Sequence, residues 1–99
     1  MKYFNKTIWA AEGCVKPGNV IVVVAEITDG SVSVSEETST SSQQVSCGID
    51  KLMESLNVHT DEELMIELEN RFGNESGYDN ARQFMEENNI EICWWGGSN

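Results

Sequence analysis

The chain has 99 residues, of which 39% are hydrophobic and 8% aromatic, and its formal net charge is −11 at pH 7. This length predicts one domain, residues 1–99, and the apolar content supports a core, which argues against a disordered acidic tail. Six basic residues scattered among seventeen acidic ones argue against direct binding to nucleic acid or to an anionic membrane.

The charge is concentrated in the second half of the chain. Residues 1–49 carry a net charge of −2, whereas residues 50–99 carry twelve carboxylates against three basic side chains, a net charge of −9. Such a field attracts basic partners. The same surplus of charge also serves solubility, so charge alone does not separate a binding function from a solvated surface.

Three cysteines, Cys14, Cys47 and Cys93, lie far apart and form no C-x-x-C pair. Their odd number predicts reduced, mostly buried thiols in a cytosolic protein. The N-terminal residues lack the apolar run of a signal peptide. The longest apolar run, residues 20–25, is six residues and far too short to span a membrane. We therefore expect a cytoplasmic protein.

The first 35 residues predict a β meander. Residues 2–10 are rich in β-forming side chains, residues 20–27 are apolar on both faces, and residues 31–35 alternate valine with serine. Asp29-Gly30 predicts a hairpin turn between the second and third strands. Residues 36–45 are polar and fit either a loop or an edge strand, and a loop with an extended end is the preferred interpretation.

Residues 46–89 change to a helical period and predict three helices. A Thr60–Glu63 capping box begins the second helix, with Glu63 reaching back to the Thr60 amide. Gly73 ends this helix, and Asn88-Asn89 ends the third. The inward stripes of the three helices are Ile49, Leu52, Met53 and Leu56; then Leu64, Met65, Leu68 and Phe72; then Tyr78, Ala81, Phe84 and Met85.

Residues 90–95 predict a last strand, and residues 96–99 a frayed tail. Adjacent strand residues face opposite sides, so one of Trp94 and Trp95 can fill the core while the other faces outward. The predicted fold class is α+β: an antiparallel sheet of three to five strands with about three helices on one face, in the order β-β-β-α-α-α-β.

No constellation of residues predicts catalysis. One histidine and three scattered cysteines lack the close ligand pairs of a zinc site. A thiol enzyme would need a cysteine beside His59, which the pattern places in a turn between two helices. Glycine-rich phosphate loops and calcium loops are missing from the sequence. We expect no enzyme activity, no cofactor and no metal.

What remains is an acidic helical surface. At about 100° per residue, Glu62, Ile66 and Glu69 fall opposite the apolar stripe of the second helix, so Ile66 is expected to be exposed among carboxylates. Carboxylates steer a basic partner and apolar side chains anchor it. The alternative is a solvated helix face with one exposed isoleucine. The predicted partner-binding residues are Asp61, Glu62, Ile66, Glu69, Glu86, Glu87, Trp94 and Trp95.

In size, acidity, α+β pattern and lack of catalytic motifs, the chain resembles small acidic inhibitor proteins of bacteriophages, the anti-CRISPR and anti-restriction proteins. The resemblance is one of overall character and transfers no individual residue. It implies a non-enzymatic inhibitor, acting in the cytoplasm of a bacterial host, whose carboxylates occupy the nucleic-acid-binding groove of a basic effector or nuclease. This host-defence evasion would work by mimicking nucleic acid.

Three other functions fit the same sequence. An immunity protein or antitoxin would turn an acidic face towards a basic nuclease toxin. A self-assembling structural protein would use the strand side or the tryptophan end, because the helical half repels itself; we expect a monomer or weak dimer. A small enzyme or ligand-binding domain would need a convergent polar cluster between sheet and helices, which the sequence does not indicate.

Overall fold

A computed structural model describes residues 3–98 as an α+β fold with one antiparallel five-stranded sheet and three helices. The elements in chain order are β1 (Phe4–Ala10), β2 (Val22–Thr28), β3 (Ser31–Glu37), β4 (Ser41–Gly48), α1 (Ile49–Leu56), α2 (Asp61–Phe72), α3 (Gly77–Glu87) and β5 (Ile92–Ser98).

The strands lie in the sheet in chain order, β1-β2-β3-β4-β5. The β2–β3 hairpin is confirmed: Thr28 pairs with Ser31 across the Asp29-Gly30 turn, and Gly30 adopts the positive φ of +81° that this turn needs. After β4 the chain makes all three helices before it returns as β5 beside β4. β1 and β5 are therefore the two edges of the sheet.

The preferred interpretation of residues 36–45 as a loop is wrong. β3 continues to Glu37 and β4 begins at Ser41, so four strands, not three, precede the helices. Thr38 closes the short turn between them, because its side-chain oxygen accepts hydrogen bonds from the amides of Thr40 and Ser41 at 3.3 and 3.0 Å. The polar side chains thus satisfy the turn and leave the strands intact.

The predicted tail is also partly wrong. Residues 96–98 belong to β5, where they pair with residues 41–43 of β4. The final strand therefore begins at Ile92, two residues later than predicted, and extends beyond Trp95. Residue 99 lies outside the described residues, as do residues 1 and 2.

One core joins the sheet to the helices. Burial in β2 alternates with a period of two. In β3 and β4, residues two apart, Val32 with Val34 and Val45 with Cys47, enter the same cluster as the helix stripes. A slip of one residue would move these side chains to the opposite face, which fixes the register. The strand and helix members of the cluster include Val23, Ala25, Ile27, Val32, Val34, Val45, Leu52, Leu64, Leu68, Tyr78 and Met85.

The ends of α2 depend on specific contacts. The Glu63 amide donates to the Thr60 side-chain oxygen at 3.1 Å, as predicted. The Glu63 carboxylate, however, accepts from the His59 amide at 3.3 Å instead of the predicted Thr60 amide. Gly73 ends the helix without a left-handed φ; a β-carbon there would press on the carbonyl oxygens of Glu69 and Ile8. Close packing of α2 on β1 therefore requires the glycine.

The register of α2 predicts unequal effects of two substitutions. Leu68 is fully buried, so Leu68→Ala should lower the free energy of unfolding by about 2–5 kcal/mol. Ile66, two positions earlier on the same helix, is 58% exposed, and Ile66→Ala should change the free energy of unfolding by less than about 0.5 kcal/mol. Urea unfolding of both variants measures this difference. Equal losses would mean that the register is wrong.

Candidate functional site

The first group of predicted binding residues lies on α2. Ile66 is 58% exposed, as its helix position predicts, and Glu62 is exposed beside it. Glu69 is half-buried and receives a hydrogen bond from the Lys6 ammonium of β1 at 2.7 Å. Asp61 stands in the first turn, where a carboxylate suits the positive end of the helix dipole. This group faces outward from α2 on the side of the β1 edge.

The second group lies on α3. Glu86 accepts from the Arg82 guanidinium at 3.1 Å, and Glu87 accepts from the Gln83 amide at 2.8 Å. Both carboxylates are exposed. Arg82 also lies over the ring of Trp94, 5.6 Å from its centre, which places the Arg82 side of α3 at the β5 edge.

The two groups do not form one compact patch. α2 packs on β1 and β2, whereas α3 packs on β3 and β4. Glu69 therefore points towards one edge of the sheet, and Arg82 with Glu86 towards the other. We define the acidic helical face as the outer surface of α2 and α3 that carries these six residues: Asp61, Glu62, Ile66, Glu69, Glu86 and Glu87.

A shallow groove lies where α2 meets α3. Arg71 of α2 lies over the Phe84 ring of α3, 5.6 Å from its centre, and Phe84 meets Phe72 edge-on at 6.1 Å. Asn80, Gln83 and Glu87 complete the lining. The sequence predicts that Phe84 faces roughly inward, and Phe84 is partly buried against the core. Its contact with Arg71 depends on how α2 and α3 pack together, which no local sequence pattern predicts.

Neither tryptophan of the predicted pair fills the core. Trp94 is 53% exposed and Trp95 is 60% exposed. Trp94 stands opposite Val45 of β4 and so shares the core face of the sheet, but β5 is an edge strand and Arg82 covers its ring. Trp95 stands opposite Gln44 on the other face. The expectation that one tryptophan fills the core is therefore wrong, because β5 lies at the edge of the sheet.

A buried hydroxyl lies beside Trp94. The Tyr78 side chain is 1% exposed, and its hydroxyl forms no hydrogen bond with any of residues 3–98. Burial raises the pKa of Tyr78, while the nearby Arg82 and Trp94 offset part of that effect. The contact of Arg82 with the Trp94 ring joins α3 to the β5 edge.

The opposite side of the sheet forms an open concave surface of about 300 Å³, lined by strand residues alone. We call this side the open face. Val22 and Val24 form its apolar floor, Glu26 and Glu37 stand at its margin, and Trp95 projects beside Gln44. Val22 and Val24 form the second apolar face of β2, and they are half-buried in this shallow concavity.

The cysteine and histidine side chains are the groups that the sequence offered for metal binding or thiol catalysis. Cys14 and Cys93 are exposed and only Cys47 is buried, so the expectation of mostly buried thiols is wrong for two of the three. His59 is exposed in the α1–α2 turn. Within residues 3–98, no three histidine, cysteine or acidic side chains gather in a way that could hold a metal ion.

Comparisons with protein-family models, with curated proteins and with solved structures find no match to this chain. Of the helices described, none is long and apolar enough to cross a membrane.

The cysteines predict a graded thiol reactivity. Burial raises the pKa of Cys47 to about 11, and the thiolate is the reactive form. In the folded protein at about pH 8, a thiol reagent should label Cys14 and Cys93 quickly and Cys47 only after unfolding. Mass spectrometry of labelled peptides measures this order. Fast labelling of Cys47 would contradict the packing of β4 against the helices.

The raised pKa of Cys47 also predicts that the free energy of unfolding falls in alkali. The folded state holds the Cys47 proton more tightly than the unfolded state, in which the pKa keeps its ordinary value of 9.0. The stability that this proton contributes is complete below pH 9.0 and is lost as the pH rises towards about 11. A Cys47→Ala variant, although less stable overall, should lose less stability across this range in denaturant titrations. Equal losses would contradict the shift.

Proposed function

We propose that this protein is a non-enzymatic inhibitor that binds a basic, nucleic-acid-binding bacterial defence protein through the acidic helical face. The observation that carries the proposal is the outer surface of α2 and α3: both helices turn carboxylates outward, and on α2 Glu62 and Glu69 flank Ile66, an apolar side chain that is 58% exposed. Charges of this kind steer a basic partner, and an exposed apolar side chain supplies contact once the partner arrives.

The ion pairs that the helix carboxylates form among residues 3–98 contribute little to the stability of the fold. Within residues 3–98, three ion pairs join a helix carboxylate to a basic side chain: Lys6–Glu69, Arg71–Glu67 and Arg82–Glu86. All three are at least one-third exposed on both partners, so water screens them and they contribute little to stability. Because residues 50–99 carry twelve carboxylates against three basic side chains, a net repulsion remains among them. A surface that costs stability in this way supports a role in binding.

The separation of the two groups bears on the shape of the partner. A positively charged groove that holds nucleic acid presents lysine and arginine along an extended path. Carboxylates distributed from the β1 side of α2 to the β5 side of α3 match such a path better than a single pocket. They would compete for the same basic side chains as phosphate. An immunity protein for a nuclease toxin uses the same physics, and the identity of the partner distinguishes the two.

A matched pair of charge variants tests the proposal. The helix variant replaces Glu62, Glu69, Glu86 and Glu87 with glutamine. The control replaces Glu12, Glu26, Glu36 and Glu37, which lie outside the helices, so both variants have a net charge of −7 (−11 plus four). Each protein is immobilised and used to capture proteins from a bacterial lysate, with identification by mass spectrometry.

The helix variant should bind the captured basic protein about tenfold more weakly, or worse, because four steering charges are lost. The control should bind like the natural protein, apart from a modest effect of net charge. Added duplex DNA should displace the captured protein, since both compete for one groove. Equal weakening in both variants would show that only net charge matters, and unchanged binding of the helix variant would refute the proposal.

A further inference from the structure

The two edges of the sheet are protected to different degrees. An edge strand presents unpaired amide and carbonyl groups, and proteins usually guard such edges with bulges, charges or proline. β1 has two of these protections. A bulge interrupts its register between Thr7 and Trp9, and Lys6 extends from it to the carboxylate of Glu69.

β5 has none of them. Its seven residues, Ile-Cys-Trp-Trp-Gly-Gly-Ser, include no charge and no proline. They pair with β4 in unbroken register from Cys47–Ile92 to Ser41–Ser98. Within residues 3–98, β4 is the one strand that pairs with β5, and residues 93–96 are exposed. Both tryptophans beside that edge are more than half exposed.

We propose that β5 pairs antiparallel with β5 of a second copy of this chain, which joins two five-stranded sheets into one of ten strands. Unpaired backbone groups along an extended strand are matched in full only by another extended strand. A two-fold axis through the middle of β5 makes the contact self-complementary and closes it at two copies. The face of the sheet that carries Trp95 then continues across the axis, so the two Trp95 rings become neighbours.

Charge favours a second copy at this edge over the acidic helical face. A chain of −11 cannot bring its acidic helical faces together without strong repulsion. β5 itself is uncharged, and α3 is set back from it over β3 and β4. With strands about 4.8 Å apart, the axes of the two α3 helices would lie about 19 Å apart, well beyond the screening length of about 8 Å at physiological ionic strength. Glu86, the carboxylate that points towards β5, is paired with Arg82.

The area of contact predicts a weak dimer. One strand pair with its tryptophans buries less surface than a standard interface of about 1,600 Å², so association should depend on concentration.

This pairing does not rest on the proposed inhibitor function. The two respond to salt in opposite directions: salt screens the repulsion between two copies and strengthens pairing, whereas it weakens attraction to a basic partner.

The test is the mass of the full chain by sedimentation velocity, over a concentration series at about 0.05 M and about 0.5 M NaCl. A reductant is present because Cys14 and Cys93 are exposed and could cross-link. The average mass should rise from 11.0 kDa towards twice that value, and should rise at lower protein concentration in the higher salt. A constant mass of one chain throughout would overturn the proposal.

A matched pair of lysine variants locates the contact. Trp95→Lys places a charge on the open face of β5 and should weaken dimerisation at least tenfold, because each copy then brings a lysine to the axis. Asn5→Lys adds the same charge to the open face at β1, where Asn5 is exposed, and should leave dimerisation unchanged. A dimer that survives Trp95→Lys, or that Asn5→Lys disrupts, uses another surface and refutes the proposal.

Hydrogen exchange of the unmodified chain gives a second readout if Trp95→Lys fails to fold. Amide exchange in β5 should slow as protein concentration rises, while exchange in β1 should stay constant. Slowing in β1 or in the helices, with none in β5, would contradict edge pairing.

Discussion

The contact between alternate side chains of β2, β3 and β4 and the apolar stripes of the three helices is the constraint on which the rest of the structure depends. Val23, Val34 and Val45 are fully buried in it, as are Leu64 and Leu68 from α2. Because each helix commits its apolar stripe to this contact, its carboxylates must lie on the outer surface. The acidic helical face is thus a geometric consequence of the core.

Local features of the helices reduce the cost of this charge without removing it. Asp61, Glu62 and Glu63 occupy the first turn of α2, where the helix dipole favours negative charge. Arg71 stands in the last turn and pairs with Glu67, four residues earlier. These are contributions of a few tenths of a kcal/mol each, so the net repulsion of the helical half remains.

Periodicity predicted the parts of the fold in which local pattern and tertiary packing agree. The valine–serine alternation of β3 and the leucine stripes of α1 and α2 each have one apolar face, and the structure buries that face. β4 was missed because Ser41, Ser42, Gln43 and Gln44 carry no apolar alternation. The strand exists because Val45 and Cys47 anchor one end and β3 and β5 pair with it on both sides.

The candidate site was predictable only in part, because a local sequence pattern does not show how the elements pack together. Helix geometry correctly predicted that Ile66 is exposed, because its exposure depends on the register of α2 alone. The positions of Trp94 and Trp95 depend on where β5 joins the sheet, and no local pattern contains that information. The distance between Glu69 and Glu86, at opposite sides of the helical layer, likewise follows from how α2 and α3 pack on different strand pairs.

The central claim is that the acidic helical face opposes folding and is therefore kept for a partner. The most direct measurement is the free energy of unfolding of the unmodified protein, from urea titrations at NaCl concentrations from about 0.02 M to about 0.5 M. If the charge opposes folding, stability should rise with salt, because screening relieves the repulsion among the carboxylates of residues 50–99. A fall in stability with salt would show that ion pairs hold the fold together, which would contradict the account.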